Sequence, residues 1–257
     1  MYGPSHSPNQ GNFFLITFKI IWEFLLKFTI FLVMFKHPSD LRDTETWVFD
    51  LDNTLYHVSV NLFDQIDRRM CNYVADFLDI PPAEAYKVQK SFFREHGTTL
   101  RGMMNCHDMD PDPYLDYVHE IDFSPIKIDE ILAKALAALP GRKIVFTNAA
   151  TKYAGRVLER LGIAHHMDGV FDIADAGYIP KPDPVAYAQI VDKYDIDPAG
   201  AVMVEDIARN LMPAAELGMK TVWVQTGLPW AHSEADKAQP DFTTDNLSAW
   251  LSDVAGH

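Results

Sequence analysis

Two aspartates one residue apart, Asp50 and Asp52, close an apolar run that starts at Trp47 and passes into Asn53 and Thr54. An apolar stretch rich in β-formers that ends abruptly in charge reads as a buried strand delivering carboxylates to the end of a sheet. Side chains alternate along a strand, so Asp50 and Asp52 leave on one side and repel each other unless a cation lies between them. Hard oxygen ligands with no Cys or His nearby point to Mg²⁺. The same residues also fit a strand that merely ends in a polar turn, where Asp and Asn are common.

Three further places supply complementary groups. Thr147 and Asn148 follow an apolar run at 143–146, Glu205 and Asp206 follow another at 201–204, and Lys181 stands between two prolines. Thr147 and Asn148 offer a hydroxyl, an amide and backbone N–H groups at an expected helix N-terminus, a natural seat for an anion. Lys181 reads as a mobile positive charge. Asp50, Asp52 and Asp206, with Glu205 beside them, suit an octahedral Mg²⁺ that keeps some waters and takes a phosphate oxygen. Such a set can transfer a phosphoryl group. Asp50 would attack phosphorus and form an aspartyl phosphate, and Asp52 would protonate the leaving alkoxide and later deprotonate water. That role requires the Asp52 pKa to be raised relative to Asp50.

These residues need a scaffold, and the sequence describes one. Apolar positions at helical spacing run from Leu62 to Phe77, a second set follows Pro81-Pro82, and Gly97-Thr98-Thr99 breaks it. A short turn at 100–105 and a helix opened by Asp110-Pro111 complete a segment almost without strand signal. From Asp129 onward, helices and strands alternate: strands at 143–146, 170–173, 201–204 and 220–224, and a last helix capped by Asp245. One helix is expected to carry Ile207, Leu211, Ala214 and Leu217. Such alternation predicts an α/β fold with a parallel sheet covered by helices on both faces. In such sheets sites form at the carboxyl ends of the strands, where Asp50, Thr147 and Asp206 all fall. The expected organisation is a sheet core at 46–56 and 129–257, a separately folded helical lid at 57–128, and an N-terminal segment at 1–45.

The 257 residues carry a formal net charge of −14, which argues against a nucleic-acid polymer or an anionic membrane surface as partner. Cys71 and Cys106 have neither metal-ligand spacing nor a disulfide framework, and fit a reducing compartment. Residues 13–35 form an apolar run interrupted by Lys19, Glu23 and Lys27, which would line one face of a helix. Three readings of it are open: translation starting at Met34, a helix lying on a membrane surface, or a packing helix. A secretory signal is disfavoured, because no basic region precedes the run and no small-residue cleavage site follows. The expected location is cytoplasmic, or the cytoplasmic face of a membrane if 13–35 forms such a helix.

Asp50-x-Asp52-x-Thr54, Thr147-Asn148, Lys181-Pro182 and Glu205-Asp206 stand in the order and setting of the four motifs of the haloacid dehalogenase superfamily. The chain resembles that superfamily from about Trp47 to its C-terminus. The resemblance implies a Rossmann-like core with an inserted all-helical cap, and Mg²⁺ as cofactor. It implies Asp50 as nucleophile and Asp52 as general acid/base, with the Asp52 main-chain carbonyl a further metal ligand. Asp206 would be a metal ligand, Glu205 a ligand or a partner behind the ligands, and Thr147, Asn148 and Lys181 phosphate binders. Dehalogenases and phosphonatases of the superfamily lack an aspartate two residues after the nucleophile, so Asp52 implies a phosphatase or mutase. The segment 92–102 and the run Asp50-Leu51-Asp52-Asn53-Thr54-Leu55-Tyr56 are similar to the pyrimidine 5′-nucleotidase branch. That implies a small phosphorylated substrate such as UMP or CMP, with Arg94, His96, Thr98, Thr99 and Arg101 near it. A sugar phosphate, phosphoglycolate, a phospho-acceptor regulatory domain and a non-catalytic scaffold are the alternatives.

Overall fold

The computed structural model describes residues 37–256, so the 13–35 run lies outside the described residues. In chain order the elements are β1 (Thr46–Phe49), α1 (Leu62–Leu78), α2 (Pro82–His96), α3 (Thr99–His107), α4 (Pro111–Val118), α5 (Glu130–Ala138), β2 (Arg142–Phe146), α6 (Thr151–Leu161) and β3 (Gly169–Phe171). There follow α7 (Pro184–Tyr194), β4 (Ala201–Glu205), α8 (Met212–Leu217), β5 (Lys220–Val224), α9 (Ala235–Ala238), β6 (Phe242–Thr244) and α10 (Leu247–Ala255). The strands form one parallel sheet in the order β3-β2-β1-β4-β5-β6. The α/β fold with a parallel sheet read from the sequence is the observed one.

Alternation along the strands builds two cores. Trp47, Phe49, Val145, Val202 and Val204 join one apolar cluster, while Val48, Ile144, Phe146 and Met203 join the other. Leu132, Val157 and Leu251 cover the first face from α5, α6 and α10, and Tyr187, Ile190 and Ala214 cover the second from α7 and α8. Both faces are therefore dry, which is why the strands carry apolar residues in unbroken runs.

The chain enters at the centre of the sheet and builds outward to β3, then returns past β1 to build the other half from β4. Phe49 is level with Val145 on β2 and Val204 on β4. The residues just beyond these strands therefore meet at the point where the strand order reverses, the place where open α/β sheets bind ligands.

Four helices occupy 62–118. Pro82 and Pro111 each sit in a helical first turn, where a missing N–H costs nothing. Thr98 caps α3 by accepting from the Arg101 N–H at 3.1 Å. Helix α1 packs on α2 and α4. Leu62, Ile66, Met103 and Tyr114 belong to the same apolar cluster as Trp47 and Phe49, so this block shares its core with one face of the sheet.

The structure differs from the sequence pattern in detail at four places, the first being 100–105, where the expected short turn is the nine-residue helix α3. Strand β6 is too short to show alternation, and the pattern does not announce it. The helix expected over 207–217 is a 3-10 turn at Ala208–Leu211 followed by α8, because Pro213 has no N–H to continue a longer helix. The last helix is capped by Asn246, which accepts from the Ala249 N–H at 3.1 Å, and not by Asp245.

Gly141 turns the chain from α5 into β2 with φ +75°, and a Cβ there would lie 2.4 Å from the Glu45 carbonyl oxygen. Gly141→Ala should lower folding stability by about 3 kcal/mol, combining a disfavoured φ with a backbone clash. A urea titration checks this; an unchanged midpoint would show that the turn relaxes.

Candidate active site

Strand β1 ends at Phe49, and the Asp50 N–H still donates to the Val204 carbonyl at 2.9 Å. The backbone then leaves the sheet. Leu55 N–H donates to Leu51 O at 3.0 Å, and Asn53 takes a left-handed φ of 61°. Asp52 thus lies in a turn, where strand alternation no longer sets its direction. The expected pairing of the Asp50 and Asp52 side chains about one cation is not what the structure shows. Asp52 Oδ1 instead accepts from the hydroxyls of Tyr56 and Tyr153, each at 2.6 Å.

Asp50 meets different partners. Its Oδ1 accepts from Lys181 Nζ at 2.7 Å, while Oδ2 is buried with no hydrogen bond. Lys181 donates also to Glu205 Oε2 at 2.7 Å and to the Phe146 carbonyl at 2.8 Å, which uses all three of its hydrogens. At 2 % exposure it is a fixed buried cation rather than the mobile charge expected from its loop. Asn148 explains why. Its Oδ1 accepts from the Lys181 N–H at 2.9 Å and its Nδ2 donates to the Lys181 carbonyl at 3.4 Å. The Asn148 amide is thus committed to the Lys181 backbone.

Glu205 is satisfied at both oxygens, since Oε1 accepts from the Ile207 N–H at 3.1 Å. Asp206 is not: its Oδ2 is buried and unpaired, while its carbonyl is pinned by Trp223 Nε1 at 2.7 Å. Thr147 Oγ1 accepts from the Ala149 N–H at 3.0 Å. The helix N-terminus expected to seat an anion at Thr147 and Asn148 begins later, at Thr151, and is already filled. Asp172 accepts there from the Thr151 N–H at 2.8 Å and from its hydroxyl at 2.7 Å.

Asp50, Glu205 and Asp206 each place an oxygen within 4.8 Å of the others. One ammonium faces three buried carboxylates. Burial and the Glu205 charge push the Asp50 carboxyl up to about 7 against the pull of Lys181. Burial, Glu205 and Asp50 likewise raise Asp206 well above the carboxylate range. Burial alone would lower Lys181, but Asp50 and Glu205 hold it above its ordinary value, so it keeps its proton. The missing positive charge and the two unpaired oxygens of Asp50 and Asp206 fit a hard divalent cation.

Above these groups lies a cavity of about 550 Å³. Among the described residues ten buried side-chain polar atoms lack a partner, and all but those of Thr54, Gln189 and Thr226 belong to residues lining it. Buried polar groups are normally paired, so this concentration marks a ligand chamber. Phe63, Phe93 and Trp230 give it aromatic walls, with ring centroids 6.0 and 6.3 Å from Trp230 to the two phenylalanines. Of the residues expected near a substrate, Arg94, Thr98 and Thr99 line the cavity and His96 and Arg101 do not. His96 turns instead toward Phe92, Asn105 and Cys106.

Several lining or supporting residues carry no signal in the sequence. Gln89 and Lys90 both donate to Asp67 Oδ1, at 2.8 and 2.6 Å, inside the helical block. Tyr56 and Tyr153 look like ordinary apolar-face residues until Asp52 is seen beside them. Burial next to Asp52 raises both phenols well above their usual value, so they keep their protons and donate.

A family model described as haloacid dehalogenase-like hydrolase matches residues 44–218, well over half of the chain, and the chain belongs to that family. Phosphate metabolism protein 8 of Saccharomyces cerevisiae is 27% identical over 202 residues, covering 72% of this chain and 62% of that protein. A phosphoglycolate phosphatase of Vibrio vulnificus is 27% identical over 222 residues, covering 80% of this chain and 94% of its own. A HAD phosphatase from Thermococcus onnurineus superposes with a TM-score of 0.56 at 16% identity, over 82% of this chain and 98% of its own. L-2-haloacid dehalogenase from Xanthobacter autotrophicus does so at 0.53 and 20%, over 83% and 99%. At these identities the structures establish the shared fold.

The crowded carboxylates set a pH dependence. A carboxyl raised on folding from 3.8 to about 7 holds its proton more tightly in the native state. Its contribution to stability is full at acid pH and is lost as pH rises through that window. In chelator the urea midpoint should therefore fall between about pH 5 and pH 8, and Mg²⁺ should restore it at the higher pH. Asp206→Asn should remove most of that restoration. A metal response unchanged in Asp206→Asn would place the cation elsewhere.

Proposed function

We propose that this haloacid dehalogenase-like hydrolase cleaves phosphate monoesters with Mg²⁺, and that its substrates are pyrimidine nucleoside 5′-monophosphates such as UMP and CMP. The observation that carries the phosphatase reading is the unpaired Asp50 Oδ2, beside Asp206 at the floor of the chamber, while Lys181 fixes its other oxygen. Oδ2 would face the cation, and Oδ1, which Lys181 steadies while leaving it a second lone pair, is then the oxygen aimed at phosphorus.

Asp50, Asp206 and the Asp52 main-chain carbonyl would hold the cation, with Glu205 behind them gripping Lys181. The cation supplies the positive charge that lets a carboxylate approach an anionic phosphate. Burial raises both Asp50 and Asp52, and a cation held by Asp50 would lower Asp50 relative to Asp52, the order that the two roles need. Lys181 adds fixed charge and aims Asp50, and Thr147 with its backbone neighbours lies at the edge where phosphate oxygens would sit. Asp50 attacks as the ester P–O bond breaks, and Asp52 gives its proton to the departing oxygen. Asp52 then takes a proton from water as that water displaces Asp50 from phosphorus.

Chamber size and wall chemistry support the nucleotide. A volume of about 550 Å³ with aromatic walls suits a nucleoside and would leave a two-carbon acid mostly surrounded by water. The helical block at 57–128 then acts as the cap that encloses the base. The relatives named phosphoglycolate phosphatase favour a second reading, in which phosphoglycolate is the substrate.

A panel of monoesters with the purified protein decides between the two. UMP and CMP should exceed phosphoglycolate and sugar phosphates by about tenfold or more in kcat/KM, chelator should abolish turnover, and Asp50→Asn should leave none. Phosphoglycolate as the best substrate would overturn the nucleotide assignment and leave the chemistry intact. Activity that survives chelation would overturn the chemistry.

A further inference from the structure

Asp52 receives two hydroxyl donors on a single oxygen. Tyr56 reaches it from the turn that follows β1, and Tyr153 from the first turn of α6, each at 2.6 Å from Oδ1. A carboxylate oxygen has two lone pairs, and both on Oδ1 are thereby used. Any proton that Asp52 carries must then sit on Oδ2. Asp52 lines the chamber, and neither tyrosine does. The phenols lie behind the carboxyl, 4 % and 1 % exposed, and hold it from the side away from the ligand.

We propose that Tyr56 and Tyr153 are positioning residues that commit Asp52 Oδ2 to both proton transfers. This inference rests on the reading of Asp52 as acid and base. In the first step the Oδ2–H bond breaks, and its proton goes to the leaving oxygen as that oxygen takes the electron pair of the P–O bond. In the second, Oδ2 takes a proton from water as the water oxygen bonds phosphorus and Asp50 departs as carboxylate. Asp52 ends as it began. With Oδ1 held at two points, the carboxyl cannot rotate to offer the wrong oxygen, and orientation of this kind is a large part of what an acid contributes.

The arrangement extends into the helical block. His119, at the C-terminal cap of α4, stacks on the Tyr153 ring with centroids 4.5 Å apart and planes 20° from parallel. Phe123 covers the same ring at 5.7 Å. Tyr153 is thus set by residues from the segment that lies over the chamber, and the aim of Asp52 depends on that segment being in place.

The test uses leaving groups of different basicity on similar frames. p-Nitrophenyl phosphate releases a weakly basic phenolate that needs little protonation, whereas benzyl phosphate releases a strongly basic alkoxide. Tyr56→Phe, Tyr153→Phe and the double variant keep the rings and remove the donors. In the double variant kcat/KM for benzyl phosphate should fall by about tenfold or more, and that for p-nitrophenyl phosphate by no more than about threefold. His119→Ala should show the same bias and His119→Phe, which keeps a stacked ring, should restore the wild-type ratio. Equal losses on both substrates would mean that the tyrosines only support the fold, and would overturn the inference. Asp52→Asn is the control for the underlying reading: without a bias toward benzyl phosphate in that variant, Asp52 is not the acid, and the reading fails rather than its geometry.

Discussion

One buried ammonium among three carboxylates is the constraint on which the site depends. Lys181 can neutralise one charge, yet it is shared between Asp50 and Glu205, and Asp206 stands beside them with an unpaired oxygen. A cluster so unbalanced is costly in a low-dielectric setting unless protons or a cation make up the difference. The protein tolerates it because each contributing backbone is held independently. Asp50 is tied to β4, Lys181 to Asn148, and Asp206 to Trp223. The imbalance leaves the cluster short of positive charge, which a hard cation would supply.

The sheet order makes this concentration of charge unavoidable. With β1 in the centre and β2 and β4 on either side, the residues after Phe49, Phe146 and Glu205 converge on one short stretch of edge. The loop carrying Lys181 approaches the same edge because Asn148 grips its backbone from both sides. Four segments far apart in sequence therefore place oxygen and nitrogen atoms within hydrogen-bond reach of one another, with two dry cores below them.

The strand ends are legible in the sequence because an unbroken apolar run that stops at Asp, Thr or Glu is what a strand buried on both faces leaves behind where it reaches the sheet edge. Asp50, Thr147, Lys181 and Asp206 can be named from that pattern and from the motif resemblance. What each side chain does once there is much less legible. Asn148 reads as a ligand for an anion, and from the chamber wall its amide also clasps the Lys181 backbone, while the anion seat at α6 is taken by Asp172, which shows no pattern at all. Asp52 reads as a second strand residue, but the left-handed turn at Asn53 lies beyond what alternation can express. Tyr56 and Tyr153 are invisible for the opposite reason. A buried tyrosine follows the same periodicity as a leucine, and only the folded neighbourhood shows that its hydroxyl is engaged. His96 and Arg101 look like ligands because they flank a helix break, yet a break points its flanking residues in several directions.

The apolar cluster that passes without interruption from the helical block into one face of the sheet has an evolutionary consequence. Leu62, Ile66, Met103 and Tyr114 count Trp47 and Phe49 among the members of their own core. A block joined in this way is not an interchangeable module. Deleting it would leave an oily face on the catalytic half, and transplanting one from a distant relative would require recutting both sides of the seam together. New specificities in this lineage are therefore more accessible by substitution within the existing chamber wall than by exchange of the whole block.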